Sequence, residues 1–313
     1  MFVFMKNFGY NSKKFTPSIL KSWKSSFKLM SDMKSLYVLI GMLLLLPVTA
    51  SSQKLELGVF GGLSNYQGDL APVAFTLRET KPAYGFVARY NVNKFFTLRA
   101  NGMYGRISGN DGKTLLEWRH IRNLSFETHI YELSLVSELH LFGYEDCGGK
   151  RFSPYAYFGL GVFNFNPKTI YNGQWVELQP LGTEGQGTSL YPERQPYKLT
   201  QVSIPFGGGI KFRVGRGLNL SAEIGWRKTF TDYLDDVSLT YVDRDILIAE
   251  NGLLSHNLSN RSGEVLPSPI NRLNGEQRGD PTDKDWYLFG GLILSYTFGT
   301  PCYNRSGVGC PSL

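Results

Sequence analysis

The groups in this chain that could do chemistry are few and scattered. Four histidines, His120, His129, His140 and His256, occur in 313 residues. A hydrolytic site needs one of them beside a nucleophile and an orienting carboxylate. His129 follows Ser125 and Glu127, and His256 follows Ser255, but that spacing demands no triad. A Walker loop, a dinucleotide fingerprint and a His-Glu-x-x-His pair are all missing from the sequence. No catalytic residue and no cofactor is expected, and the chemistry to look for is binding and charge pairing.

Two sets of charged residues stand out. The stretch 231–236, Thr-Asp-Tyr-Leu-Asp-Asp, brings Asp232, Asp235 and Asp236 together, and Asp69 occupies an equivalent place early in the chain. Clustered carboxylates suit a hard cation such as Ca²⁺. The spacing is not the ladder of a calcium loop, however, so no metal is expected; these acids should instead pair with Arg89, Arg99 or Arg227 and cap turns. The second set is Arg99, Glu132, Glu138, His140, Lys211, Arg213, Glu223 and Arg227. It carries both signs, and its meaning depends on which elements hold it.

Those elements have period two. In 95–107, Phe96, Leu98, Ala100, Gly102 and Tyr104 alternate with Thr97, Arg99, Asn101 and Met103. In 125–142, Tyr131, Leu133, Leu135, Leu139 and Leu141 alternate with Glu132, Ser134, Glu138 and His140. In 199–214, Val202, Ile204, Phe206, Ile210 and Phe212 oppose Ser203, Gly207, Gly209, Lys211 and Arg213. In 218–231, Leu218, Leu220, Ala222, Ile224 and Trp226 oppose Asn219, Ser221, Glu223, Gly225 and Arg227. Successive side chains of a strand point to opposite faces, so each segment has an oily and a polar face. The segments 54–62, 82–91, 154–165 and 285–298 fit less cleanly and bring the strands to eight; in the last, Tyr287, Phe289 and Ile293 fall on the otherwise polar parity. The run Gly207-Gly208-Gly209 inside a strand implies a bend or close packing.

Connection lengths alternate as well. Residues 92–94, 143–153 and 215–217 are short or medium links, whereas 63–81, 108–124, 166–198 and 232–284 are long. Short turns at one end and long loops at the other are the signature of an outer-membrane barrel. A soluble sandwich has no reason to sort its loops so, although a lipocalin-like barrel shares the strand parity. Hydrocarbon offers no hydrogen bonds to backbone, so a spanning sheet must close on itself. The fold class expected is all-β: an eight-stranded antiparallel transmembrane β-barrel with long extracellular loops. Tyr90, Phe96, Tyr104, Trp226, Trp286, Tyr296 and Phe298 stand near strand ends, where interfacial aromatics gather. The mixed charges then face the lumen, where they must pair.

The N-terminus supplies the route to that membrane. Lys34 is followed by an apolar run over 36–46 and by Pro47, Val48, Thr49 and Ala50, the three parts of a cleavable signal peptide. Cleavage is expected after Ala50, with Met30 or Met33 favoured as the start. The formal charge of +7 suggests nucleic acid at first sight, yet seven lysines and only Asp32 fall in 1–50. From 51 onward 26 basic residues face 25 acidic ones, so no nucleic-acid partner is expected. The organisation read is a leader over 1–50, a barrel over 51–299 and a tail over 300–313.

Two stretches carry a family resemblance. Gly61-Gly62-Leu63-Ser64-Asn65-Tyr66-Gln67-Gly68-Asp69 is one; Gly225-Trp226-Arg227-Lys228-Thr229-Phe230-Thr231-Asp232-Tyr233-Leu234-Asp235-Asp236-Val237-Ser238 is the other. With the final Tyr296-Thr297-Phe298, they resemble the PorG-like outer-membrane β-barrel proteins of Bacteroidota. The resemblance implies an outer-membrane location and a motif at the outer rim made of Asp69, Asp232, Tyr233, Asp235 and Asp236. It also implies a role in type IX protein secretion, with PorK-like and PorN-like periplasmic ring proteins as partners besides outer-membrane lipid. A generic small barrel, a membrane stabiliser or adhesin, is the alternative.

Three cysteines complete the set. Cys147 falls in a short link, and Cys302 and Cys310 fall in the tail. All three would face an oxidising compartment. Cys302 can close on Cys310, or Cys147 can staple the tail through either; one thiol is left over in each case and could cross-link a partner. The Cys147 turn and the tail are expected to form a periplasmic docking surface.

Overall fold

The computed structural model describes residues 55–71, 79–114, 116–144, 151–215 and 217–298. The leader, the tail and Cys147, Cys302 and Cys310 lie outside the described residues. Ten strands are present among those described: β1 (Leu55–Gln67), β2 (Lys81–Asn91), β3 (Phe96–Asn110), β4 (Ser125–His140), β5 (Phe152–Asn164), β6 (Lys168–Tyr171), β7 (Gln174–Glu177), β8 (Thr200–Arg213), β9 (Leu218–Thr229) and β10 (Trp286–Thr297). Eight of them form one ring of antiparallel neighbours in the order β3-β2-β1-β10-β9-β8-β5-β4, and β3 pairs with β4 to close it. Closure leaves no free edge, the condition a spanning sheet must meet.

The parity of the sequence determines the wall. Leu57, Val59, Phe86, Leu98, Leu133, Leu135, Leu160, Val202, Leu292 and Leu294 all point outward and are exposed, Leu133 by 73% and Leu292 by 53%. Their neighbours Glu56, Thr97, Arg99, Glu132, Ser134, Ser203, Ile293 and Ser295 point inward and are buried. A water-soluble barrel would invert this arrangement. Along β4 the outward apolar positions run from Tyr131 to Leu139 and continue into Leu141 and Phe142. At about 3.4 Å per residue and a tilt of about 40°, the eight steps within the strand rise roughly 21 Å. Leu141 and Phe142 carry the band toward the roughly 25 Å height of an outer-membrane apolar belt.

Aromatic side chains mark both borders. Tyr90, Phe96, Phe142, Phe152, Phe212, Tyr296 and Phe298 are exposed at the end with the short connections. Tyr84 and Tyr131 are exposed nearer the other end, with Tyr104, Trp226 and Trp286 half-buried beside them. These are the two levels that interfacial girdles occupy.

Several boundaries differ from the sequence reading. β1 runs on through Gln67 and β3 through Asn110, so the Leu63–Tyr66 stretch is wall and not connection. The long connections also carry structure of their own. β6 and β7 form a hairpin whose turn, Asn172-Gly173, has positive φ at both residues, the geometry that Asn-Gly favours. A short helix, α1 (Glu117–Arg122), lies between β3 and β4. The long connection 232–284 holds the helix α2 (Arg244–Asn251). Asp243 caps it by accepting from the backbone N–H groups of Asp245 and Ile246 at 3.0 and 3.1 Å. A third helix, α3 (Leu253–Ser259), follows.

If the outward face meets lipid, a charge there is costly. Leu133→Arg is expected to lower the stability of the vesicle-inserted barrel by about 2–4 kcal/mol, measured as the shift of its urea unfolding midpoint. An unchanged midpoint would place Leu133 in water.

Candidate functional site

Inside the wall the side chains sort into a charged layer and an aromatic layer. Most of the charged layer lies toward the short connections, and the Glu132–Arg227 pair extends it toward the long ones. Glu56 accepts from Arg89 at 2.9 Å, from Lys211 at 2.5 Å and from Ser295 at 2.6 Å. Glu138 lies 3.1 Å from Arg89 and 2.7 Å from Arg99. Glu223 accepts from Arg99 at 2.6 Å and from Tyr155 at 2.7 Å. Glu132 accepts from Arg227 at 3.1 Å and from Tyr287 at 2.9 Å. Four carboxylates thus meet four cations, all deeply buried, and the layer is electrically balanced.

Aromatic faces add to the solvation of three of these cations. Arg99 lies over the Tyr157 ring at 4.5 Å, Lys211 over Tyr144 at 4.1 Å and Arg227 over Phe289 at 4.6 Å. His140 lies 3.6 Å from Glu138 and stacks on Tyr144. Arg213 is half-buried at the short-connection end, in register with Asn219. The two large tyrosines of β5 need room on the facing strands, and glycine supplies it. A Cβ at Gly225 would collide with the Tyr157 hydroxyl, and one at Gly209 would meet the Tyr155 ring. That is the close packing implied by the Gly207–Gly209 run.

Of the sequence-derived set, Arg99, Glu132, Glu138, His140, Lys211, Glu223 and Arg227 meet in this layer, and Arg213 lies half-buried at the short-connection end. Two members were missed as a network: Glu56 and Arg89 each bind two opposite charges here. The signal for Glu56 was its place between the outward Leu55 and Leu57.

Toward the long connections the lumen turns apolar. Phe60, Ile107, Phe126, Ile130, Phe163, Phe165, Tyr287, Phe289 and Ile293 fill it. The acids of the rim motif sit on top of this layer, and their partners differ from those expected. Asp232, Asp235 and Asp236 do not reach Arg89, Arg99 or Arg227, which the glutamates of the charged layer occupy. Asp232 accepts from Ser238 at 2.7 Å. Asp236, itself at φ +67°, accepts from Thr183 at 2.5 Å and Tyr197 at 2.7 Å, with Arg278 at 3.8 Å. Arg278 also binds Glu184 at 2.9 Å. Asp69 accepts from the backbone of Asp280, and its carbonyl binds Arg119 and Arg122. Tyr233 stacks on Tyr197 with ring centres 4.6 Å apart. Among the described residues no cluster of three or more His, Cys, Asp or Glu is arranged to hold a metal ion.

One contact in this cap has a protonic consequence. The Tyr66 hydroxyl lies 2.7 Å from Asp235 and 2.9 Å from Asp285. A phenol has one proton to donate, so the second carboxyl must carry its own. Burial raises the pKa of both aspartates well above the usual carboxylate range, and the neighbouring charges of Asp69 beside Asp235 and of Asp235 beside Asp285 push them the same way. Burial likewise pushes Asp232 up to about 7 and Asp236 to about 6.

None of the histidines meets a nucleophile and a carboxylate together among the described residues. His129 bonds the Tyr104 hydroxyl at 2.8 Å on the outer face. Ser125 instead binds Thr169 and Arg261, and Glu127 binds Lys81 and Arg106.

A closed eight-stranded antiparallel barrel, oily outside and charged within, is an outer-membrane β-barrel. Residues 33–182 match a family described as a domain of unknown function, DUF6089. No curated protein matches the sequence. Among solved structures, the chain is similar to Ail, the attachment invasion locus protein of Yersinia pestis, at 9% identity, 78% of this chain, 97% of that one and a TM-score of 0.37. For a major outer membrane protein from Thermus thermophilus the identity is 14%, the coverage 77% and 98%, and the TM-score 0.35. For OprG of Pseudomonas aeruginosa these values are 8%, 78% and 97%, and 0.33.

Two outcomes follow from this geometry. Glu138→Gln leaves Arg89 and Arg99 short of a buried counter-charge and should cost about 3–5 kcal/mol in the urea midpoint. Glu177→Gln, in the exposed pair with Lys168, should change nothing measurable. The second outcome concerns pH. The folded cap holds its protons to higher pH than the unfolded chain, so its stability is full below the ordinary aspartate value near 4. It is lost as pH rises through about 6 and 7. Hydrogen exchange over 230–285, corrected for the intrinsic rate, should show more protection at pH 5 than at pH 8, and Asp232→Asn should flatten the difference.

Proposed function

We propose that the chain is a non-enzymatic, non-conducting barrel that serves the type IX secretion apparatus as its outer-membrane docking component. The observation that carries the sealed, structural part of this reading is the filled lumen. Arg89, Arg99, Lys211, Arg227, Tyr287 and Phe289 are among its largest fully buried side chains. Eight strands enclose an interior that side chains can fill, and here paired charges and rings fill it. A barrel plugged in this way acts through its surfaces.

The class convention puts the long connections outside the cell and the short ones in the periplasm. The docking part of the reading is supported by the resemblance of the two motif stretches to PorG-like proteins. On it, a PorK-like and PorN-like ring meets the short-connection end, and the turn with Cys147 and the tail with Cys302 and Cys310 form the contact. The alternative, a membrane stabiliser or adhesin, draws support from the other end. There the ordered cap of β6, β7 and three helices presents a built surface to the outside.

Pull-down of the full chain from outer membranes under non-reducing conditions tests the choice. Recovery of periplasmic ring proteins, lost on deleting 300–313, is the expected result. Recovery of the barrel with lipid alone would favour the stabiliser or adhesin. In planar bilayers the protein should open no steady channel.

A further inference from the structure

The outward face of β2, β3 and β4 carries a ladder that the proposed function does not use. Direct cross-strand pairs stack along β3 and β4 in the order Gly102–Leu133, Tyr104–Tyr131, Arg106–His129 and Ser108–Glu127. Tyr84 pairs with Tyr104 from β2. The ladder therefore passes from belt to girdle to charge in steps of about 7 Å.

At its lower end the wall is indented. A depression of about 500 Å³ lies between Tyr84 and Phe86 on one side and Tyr131, Leu133 and Val162 on the other. Its floor is Gly102, where a Cβ would meet nothing nearer than the tip of Leu133 at 3.6 Å. The walls include the two most exposed large apolar side chains of the barrel, Phe86 at 75% and Leu133 at 73%. At this depth the solvent is acyl chain.

Directly above, polar groups take over. Tyr104 donates to or accepts from His129, and Arg106 and Lys81 both lean on Glu127, at 3.5 and 3.4 Å. Two cations thus share a single carboxylate at long range, and both side chains keep about a third of their surface open. This leaves one positive charge over, one ladder step beyond the tyrosine girdle, where lipid headgroups lie.

We propose that this face is a binding site for an anionic, phosphate-bearing lipid of the leaflet at the long-connection end. One acyl chain lies on Gly102 between the aromatic walls, and the phosphate meets Arg106 with Lys81 beside it. The Tyr104 and Tyr131 rings separate chain from headgroup. Arginine suits the head because its fork binds phosphate oxygens in pairs, and the indented wall distinguishes this face from ordinary lipid contact. The inference rests on the barrel spanning a bilayer, and the two can fail separately.

The test is native mass spectrometry of the full chain released from nanodiscs of phosphatidylcholine doped with phosphatidylglycerol. Failure of the wild type to insert, seen as loss of heat-dependent gel migration, would refute the membrane placement itself. Once inserted, the wild type should retain phosphatidylglycerol in preference to phosphatidylcholine. Arg106→Gln should cut the retained phosphatidylglycerol about tenfold, the scale of one charge-assisted bond. Gly102→Leu, whose Cβ would meet nothing nearer than Leu133 at 3.6 Å and whose side chain extends into the depression, should remove bound lipid of both kinds. Lys228→Gln, an exposed cation on β9, should change neither. Equal retention by Arg106→Gln and Gly102→Leu would overturn the site, as would an equal loss in Lys228→Gln. Displacement of the lipid by inorganic phosphate would overturn the acyl-chain half.

Discussion

The constraint on which the rest depends is the absence of water in the bilayer core. A backbone group or charge placed there has only the protein to satisfy it. The backbone meets the constraint by closing β3 onto β4, so that every spanning strand has two neighbours. The charges meet it by turning inward and pairing four against four. Neither solution works alone. An open sheet would leave an edge in lipid, and a closed one with unpaired charges inside would hold them at a cost of several kcal/mol each. The glutamates are therefore a condition of the wall's placement. Glu56 and Glu138 both bind Arg89, and Glu138 and Glu223 both bind Arg99, so the strands that carry them are tied across the lumen.

Balance also explains the shape of the plug. The charged layer ends where the aromatic layer begins, and Arg227 joins them by binding Glu132 while its guanidinium covers the Phe289 ring. Above, the aspartates of the cap take a second route to neutrality. They hold protons and accept from hydroxyls and backbone N–H groups, and Asp236 shares Arg278 with Glu184. The two ends of one lumen thus solve the same problem with different means: ion pairs throughout the charged layer, and where the loops begin ion pairs such as Arg122–Asp111 and Arg278–Glu184 together with protonated and hydroxyl-bonded aspartates.

The sequence made the wall easy to read and the cap hard. Leu133, Leu220 and Leu292 declare their face because the strand period is two and one side of the strand must be oily. Arg99, Glu132, Glu138, Lys211 and Glu223 follow by parity. Glu56 and Arg89 sat in segments whose inward face mixes Gly58, Phe60, Ala83 and Val87 with charge, which blurred the alternation. The partners of Asp232, Asp235 and Asp236 could not be read at all. Thr183, Glu184, Tyr197, Arg278 and Asp285 come from connections with no period, and only the fold sets them side by side. For the three cysteines the expectation stands outside the described residues.

Oily side chains of the spanning strands face lipid while their neighbours face a sealed interior. Spin labels test it most directly, attached one at a time to cysteines placed at positions 132 to 136 of a chain whose native cysteines are serine. Accessibility to dissolved oxygen, which partitions into lipid, should be high at Leu133 and Leu135 and low at Glu132, Ser134 and Val136, with a polar reagent reaching none of these five. Oxygen accessibility without that alternation, or a polar reagent that reaches Leu133, would contradict the account.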